Sequence, residues 1–103
     1  MSTFEISLTA TSLASILATK GTMDSKVSQI FKSTSDKALD MESKQITVNF
    51  RNLQTLDASA AGMLMFFNFA AKTKGKQINI TEASAAVQQV LNRANLGKLV
   101  TIK

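Results

Sequence analysis

The chain has 103 residues, 45% of them hydrophobic, and twelve Lys/Arg against seven Asp/Glu leave a net charge of +5. That length suits one compact domain, residues 1–103, around a single core. Cysteine and histidine are both absent, which excludes disulfides, thiolate metal sites and the commonest general base and metal ligand, so neither a metal nor a cofactor is expected.

FEISL (Phe4–Leu8) alternates, with Phe4, Ile6 and Leu8 on one side and Glu5 and Ser7 on the other, as in a half-buried strand. TATS follows as a turn, and LASILAT (Leu13–Thr19) reads as a second, weaker strand forming a hairpin with the first. SLASILA is apolar but short, and no basic segment precedes it, so a secretory signal is not expected. No run approaches the roughly 20 residues of a membrane span, and a cytoplasmic protein without membrane insertion is expected. KGTMDS then breaks the pattern, and Asp24 or Ser25 can cap the next helix. That helix is predicted over roughly 25–42, with Val27, Ile30, Phe31, Thr34, Ala38 and Met41 at helical spacing.

QITVNF (Gln45–Phe50) alternates again. A parallel strand covered on both sides is apolar throughout. Thr47 and Asn49 therefore predict helices on one face of the sheet and an open polar face on the other. LDASAAG (Leu56–Gly62) leads into a helix ending near Lys74, closed by Gly75. KTKGK (Lys72–Lys76) is the only dense lysine cluster and reads as a solvated helix end, where cations favour the macrodipole. QINI is a short strand, and ASAAVQQVLNRANL is a helix capped by Ser84 and closed by Gly97. LVTI is a possible edge strand. The order is ββαβαβα(β): an α/β domain with a four- to five-stranded mixed sheet, an N-terminal hairpin plus parallel strands joined by right-handed crossovers.

Met63, Leu64, Met65, Phe66, Phe67 and Phe69 make the central helix apolar almost all round. Either it is simply buried, or part of its first turn near Met63 is exposed, as at interaction sites. Within LDASAAG, Asp57 or Ser59 can accept from unpaired amides of the first turn. Ala58, Ala60, Ala61 and Gly62 leave room for another backbone, and a hydroxyl among small residues is open to a kinase. The stretch is no G-x-S-x-G elbow, and GTMDS is no phosphate-cradling loop.

The run NFRNLQTLDASAAGMLM resembles the central signature of STAS domains, the anti-sigma factor antagonist family: an apolar strand, Asp-Ser-Ser-Gly/Ala-Leu-Gly, then an apolar helix. Asp57 falls on the family's acid and Ser59 on the serine its switch kinases phosphorylate. Ala58 replaces the first serine or threonine, Ala60 stands where glycine or alanine is seen, Ala61 replaces leucine, and Gly62 matches. GTMD resembles the family's Gly-x-x-Asp after the second strand, which puts Asp24 on the partner-facing surface. ASAAVQQVLNRANLGKLVTI resembles the family's ending.

The resemblance implies a STAS-like binding module, not an enzyme. Unphosphorylated, it would bind an anti-sigma factor or switch serine kinase through Asp24, Asp57, Ala58, Ala60, Ala61, Gly62 and Met63; phosphorylation at Ser59 would release it, and a serine phosphatase would restore it. The alternative is a STAS-type regulatory subunit of a membrane transport assembly, acting without phosphorylation. Scattered lysines and the lack of tyrosine and tryptophan argue against direct nucleic-acid binding. A monomer or weak dimer is expected.

Overall fold

A computed structural model describes residues 4–102. Its strands and helices follow the order β1 (Phe4–Ala10), β2 (Ala14–Met23), α1 (Ser28–Leu39), β3 (Gln45–Leu56), α2 (Ala58–Thr73), β4 (Gln77–Thr81), α3 (Ala85–Arg93) and β5 (Thr101–Ile102). The five strands lie side by side in sequence order, β1 antiparallel to β2 and the rest parallel. Successive right-handed crossovers that step in one direction leave every helix on the same face. The opposite face stays open, and Thr47, Asn49, Asn79 and Thr81 lie half-buried along it. Amides bridge that face: Asn79 and Gln45 are hydrogen-bonded, as are Gln45 and Gln77.

The core lies between sheet and helices. Leu17, Ile46, Val48, Phe50 and Ile80 point up from the strands to meet Phe31, Leu64, Phe67, Val87 and Leu91. Phe31 and Phe67 pack edge-to-face with centroids 5.8 Å apart, locking α1 to α2. Each fully buried side chain of this size stabilises by about 1.5–3 kcal/mol relative to exposure.

Several elements differ from the sequence expectations. The second strand starts after Leu13, which stands 81% exposed in the hairpin turn, and it runs on through Lys20–Met23, where a break was expected, because these residues pair with β3. There the Thr11 hydroxyl accepts from the Leu13 and Ala14 amides. The first helix is split into a 3₁₀ turn over Ser25–Val27 and α1 proper, which ends at Leu39. Ile30 and Met41, expected inward, are therefore exposed, while Leu39 is buried instead. The third strand does not stop at Phe50. Its register against β2 slips by one residue at two places, before Asn52 and before Thr55. Each bulge adds a residue to β3 alone, so Phe50, Leu53 and Leu56, three apart, all reach the core.

The lysine cluster after α2 is only partly solvated. Lys72 and Lys74 are exposed, but Lys76 is buried. Its Nζ donates to the carbonyls of Met41 and Ser43, the latter at 2.6 Å, pinning the start of β4 to the α1–β3 connection. Beside it, the Ser15 and Ser43 hydroxyls pair within the buried interior. The third helix ends at Arg93, and Asn95, at φ 60°, takes the left-handed turn that Gly97 was expected to supply. Of the expected last strand only Thr101–Ile102 forms.

Candidate functional site

The parallel strands β2 and β3 end together at one edge of the sheet. Met23 pairs with Leu56, and the Asp57 amide donates to the Met23 carbonyl at 3.2 Å. This junction sets the residues that follow β2, beginning with Asp24, beside the start of α2. Both acids serve local roles. Asp24, half-buried, accepts from the Lys26 amide at 2.9 Å and starts the 3₁₀ turn. Asp57 sits in extended backbone and accepts from the Ala60 amide at 2.9 Å, capping α2.

Of the two cap candidates in the sequence, Asp57 therefore holds the position. Ser59 lies in the first turn of the helix itself, exposed to solvent. Among the described residues its hydroxyl has no hydrogen-bond partner, so it is free both as donor and as acceptor. Ala58 is exposed beside it, and Gly62 and Met63 are half-buried one turn on. Ala60 and Ala61 turn inward and are almost completely buried against the core. They let α2 lie close to the sheet and present no side chain to an approaching molecule.

The apolar surface of α2 does not centre on its first turn. Phe66 is 81% exposed and Phe69 75%, with Met65 partly open beside them, whereas Met63 is tucked against the core. The sequence signal for this lay in the all-round hydrophobicity of α2, which exceeds what one buried face requires. It does not by itself say which residues point out.

The arrangement presents an accessible alcohol at a helix N-terminus, in a surface of small residues and the two carboxylates of Asp24 and Asp57. Among the described residues no group of His, Cys, Asp or Glu is placed to hold a metal ion, and no helix is long and apolar enough to cross a membrane. Ser59 stands between two alanines in the chain, and the acid two positions before it is engaged as the cap of α2.

A family model described as "Mlab, STAS domain" matches residues 6–101. No curated protein matches. Among solved structures, an anti-sigma factor antagonist from Mycobacterium paratuberculosis superposes with a TM-score of 0.86 at 8% identity, covering 97% of this chain and 85% of that one. The unphosphorylated form of the anti-sigma factor antagonist SpoIIAA gives 0.80 at 17% identity, covering 98% and 88%. The phosphorylated form of the Bacillus cell fate determinant SpoIIAA gives 0.72 at 16%, covering 98% and 91%. At these identities the likeness is one of fold.

Proposed function

The chain belongs to the STAS domain family, and on that premise we propose that it is a phosphorylatable switch of the anti-sigma factor antagonist type. It acts as a binding module in the cytoplasm. In its unphosphorylated form it docks on an anti-sigma factor or switch serine kinase, and phosphorylation of Ser59 releases it until a serine phosphatase restores the hydroxyl. Asp24, Asp57, Ala58, Gly62 and Met63 form the docking surface around Ser59, with Ala60 and Ala61 supporting it from behind.

The observation that carries this reading is the freedom of the Ser59 hydroxyl. A serine serving as the cap would hold its oxygen against the helix amides. Here Asp57 does so, and Ser59 is left exposed. The kinase supplies base and metal, and this chain supplies only the acceptor alcohol. A phosphoserine adds about −1.5 to −2 charges and three acceptor oxygens. At a helix N-terminus the free amides and the dipole tolerate that anion, so the penalty falls on the interface. There a dianion must be desolvated next to the Asp57 carboxylate. A hundredfold loss of affinity requires only about 2.7 kcal/mol.

Incubation with a cognate switch kinase and ATP, read by intact mass, tests the proposal. The mass rises by one phosphate, and the rise disappears in Ser59→Ala. Ser59→Ala keeps partner affinity and Ser59→Asp weakens it; equal affinity of the two variants removes the switch.

A second reading is a STAS-type regulatory subunit of a membrane transport assembly that works without phosphorylation. Ala58 favours it, because the motif keeps one hydroxyl where the family pattern has two. The matching family model is also described by Mlab and not by an anti-sigma factor antagonist. Under that reading the mass stays unchanged with kinase, and Ser59→Asp still weakens binding through steric and charge intrusion.

A further inference from the structure

Ser59, Gly62, Phe66, Phe69 and Thr73 follow one another along α2 in steps of three, four, three and four. At about 3.6 residues per turn they form one outward stripe, roughly 21 Å long. Every member is exposed except Gly62, which is half-buried. Phe66 and Phe69 rise from it as a ridge, and clefts flank that ridge. Toward α1 the cleft is lined by Phe31 and Met63; on the other side it is lined by Gly62, Met65 and Leu99. A Cβ added at Gly62 would meet nothing within 4 Å. The chain's own packing therefore does not require glycine there, even though glycine weakens a helix by about 1 kcal/mol relative to alanine.

The stripe is self-complementary. When a second, antiparallel α2 is laid across it with the two Phe66 side chains at the axis, Ser59 falls opposite Thr73 and Met63 opposite Phe69. The open space at Gly62 then lies under the ridge of the other copy. A two-fold contact needs one surface that carries both the projection and the hollow, and this face has both. The direction is set by charge. Lys72, and Lys74 with its own ion-pair partner Asp40 at 3.2 Å, stand at the C-terminal end of α2, while Asp57 caps its N-terminal end, so Lys72 carries most of the bias. Antiparallel pairing sets lysines beside the other copy's carboxylate and opposes the two macrodipoles; parallel pairing stacks lysine on lysine.

We propose that the outer stripe of α2 is a homodimer contact with a second copy of this chain, antiparallel about Phe66. Four phenylalanines, at about 150 Å² each when fully covered and 75–81% of that still exposed in the single chain, contribute roughly 500 Å² of apolar area. Met65 and Leu99 of each copy bring the contact toward the ~1,000 Å² at which specific interfaces begin. The dimer is therefore weak and concentration-dependent. The contact is formed by the unphosphorylated chain, and it shares Ser59, Gly62 and Met63 with the docking surface proposed above.

Sedimentation velocity over a concentration series tests it. The wild-type chain shifts from monomer to dimer, and Phe66→Ser/Phe69→Ser weakens dimerisation at least about tenfold. Both side chains are solvent-exposed, so an unchanged melting curve shows that the double variant still folds. Orientation is read by disulfide trapping, for which a cysteine-free chain is well suited. An equimolar mixture of Ser59→Cys and Thr73→Cys proteins crosslinks between unlike copies faster than either protein crosslinks with itself. A chain that stays monomeric throughout, a dimer indifferent to the double variant, or preferential Ser59→Cys self-crosslinking each overturns the proposal. Sedimentation is measured on unmodified protein without a kinase, so its failure leaves the Ser59 switch standing, and loss of the switch leaves the dimer standing.

Discussion

Asp57 fills the capping position that a serine at a helix start commonly takes, and it leaves the exposed Ser59 hydroxyl without a capping role. The carboxylate satisfies the Ala60 amide, so removing it exposes an unpaired donor. Asp57→Ala is expected to destabilise the chain by about 1 kcal/mol, and Ser59→Ala to stay within about 0.5 kcal/mol of wild type, both measured by urea unfolding. A larger loss for Ser59→Ala means that the hydroxyl serves the fold after all. Lys76 is the opposite kind of residue, a charge held inside. Burial lowers its pKa below the ordinary lysine value, Lys44 and Lys74 add repulsion, and Asp40 opposes them. Between the lowered folded value and the ordinary unfolded one, the unfolded chain binds more protons. Stability contributed by this site therefore rises with pH across that window and is flat below it. Lys76→Met orphans the Met41 and Ser43 carbonyls and should cost about 1–3 kcal/mol. Urea unfolding of both proteins over alkaline pH should show the upward slope in wild type only. A downward difference slope means that the two carbonyls favour the ammonium more than burial opposes it.

At the scale of elements, alternation placed β1, the first half of β3 and the one-sided sheet correctly, because a side chain's face follows directly from period two, whereas β2 was cut short at Thr19 because its last four residues, Lys20–Met23, owe their strand to pairing with β3. The second half of β3 escaped that logic. Its bulges change the spacing of buried residues from two to three, and bulges are set by pairing with β2, which no local window contains. The junction of Asp57 with Met23 is likewise non-local, although the resemblance of LDASAAG and GTMD to one family motif had already put both segments on one surface. The outward face of α2 was illegible for another reason: a helix apolar all round carries no moment to orient it, and neighbouring α1 and the Leu96–Val100 segment decide what is covered. Gly62 follows from the same geometry. Gly62→Ala should stabilise the monomer by about 0.5–1 kcal/mol, because the added methyl group finds open space. Unfolding at a concentration low enough to keep the chain monomeric isolates that gain from any effect on self-association. A loss of stability there means that the helix is closed over Gly62 in solution.

For the molecule as a whole, the open polar sheet face, the layer of helices and the junction at the ends of β2 and β3 are separate regions. This separation allows modification at one of them without disturbing the core. Ser59 is exposed and is not among the buried residues that hold sheet to helices, and its helix N-terminus already favours negative charge. A phosphate there removes about two of the five net positive charges, which lowers the self-repulsion of a basic chain. Both effects act in the same direction. The Ser59-phosphorylated protein is therefore expected to melt no lower than the unmodified protein, and up to a few degrees higher at low salt, with the gain fading as salt screens it. Differential scanning calorimetry of the two forms across a salt series checks this. A fall of several degrees on phosphorylation means that the anion disturbs the cap or the junction with Met23. Any release of a partner would then follow from local unfolding and not from repulsion at an intact surface.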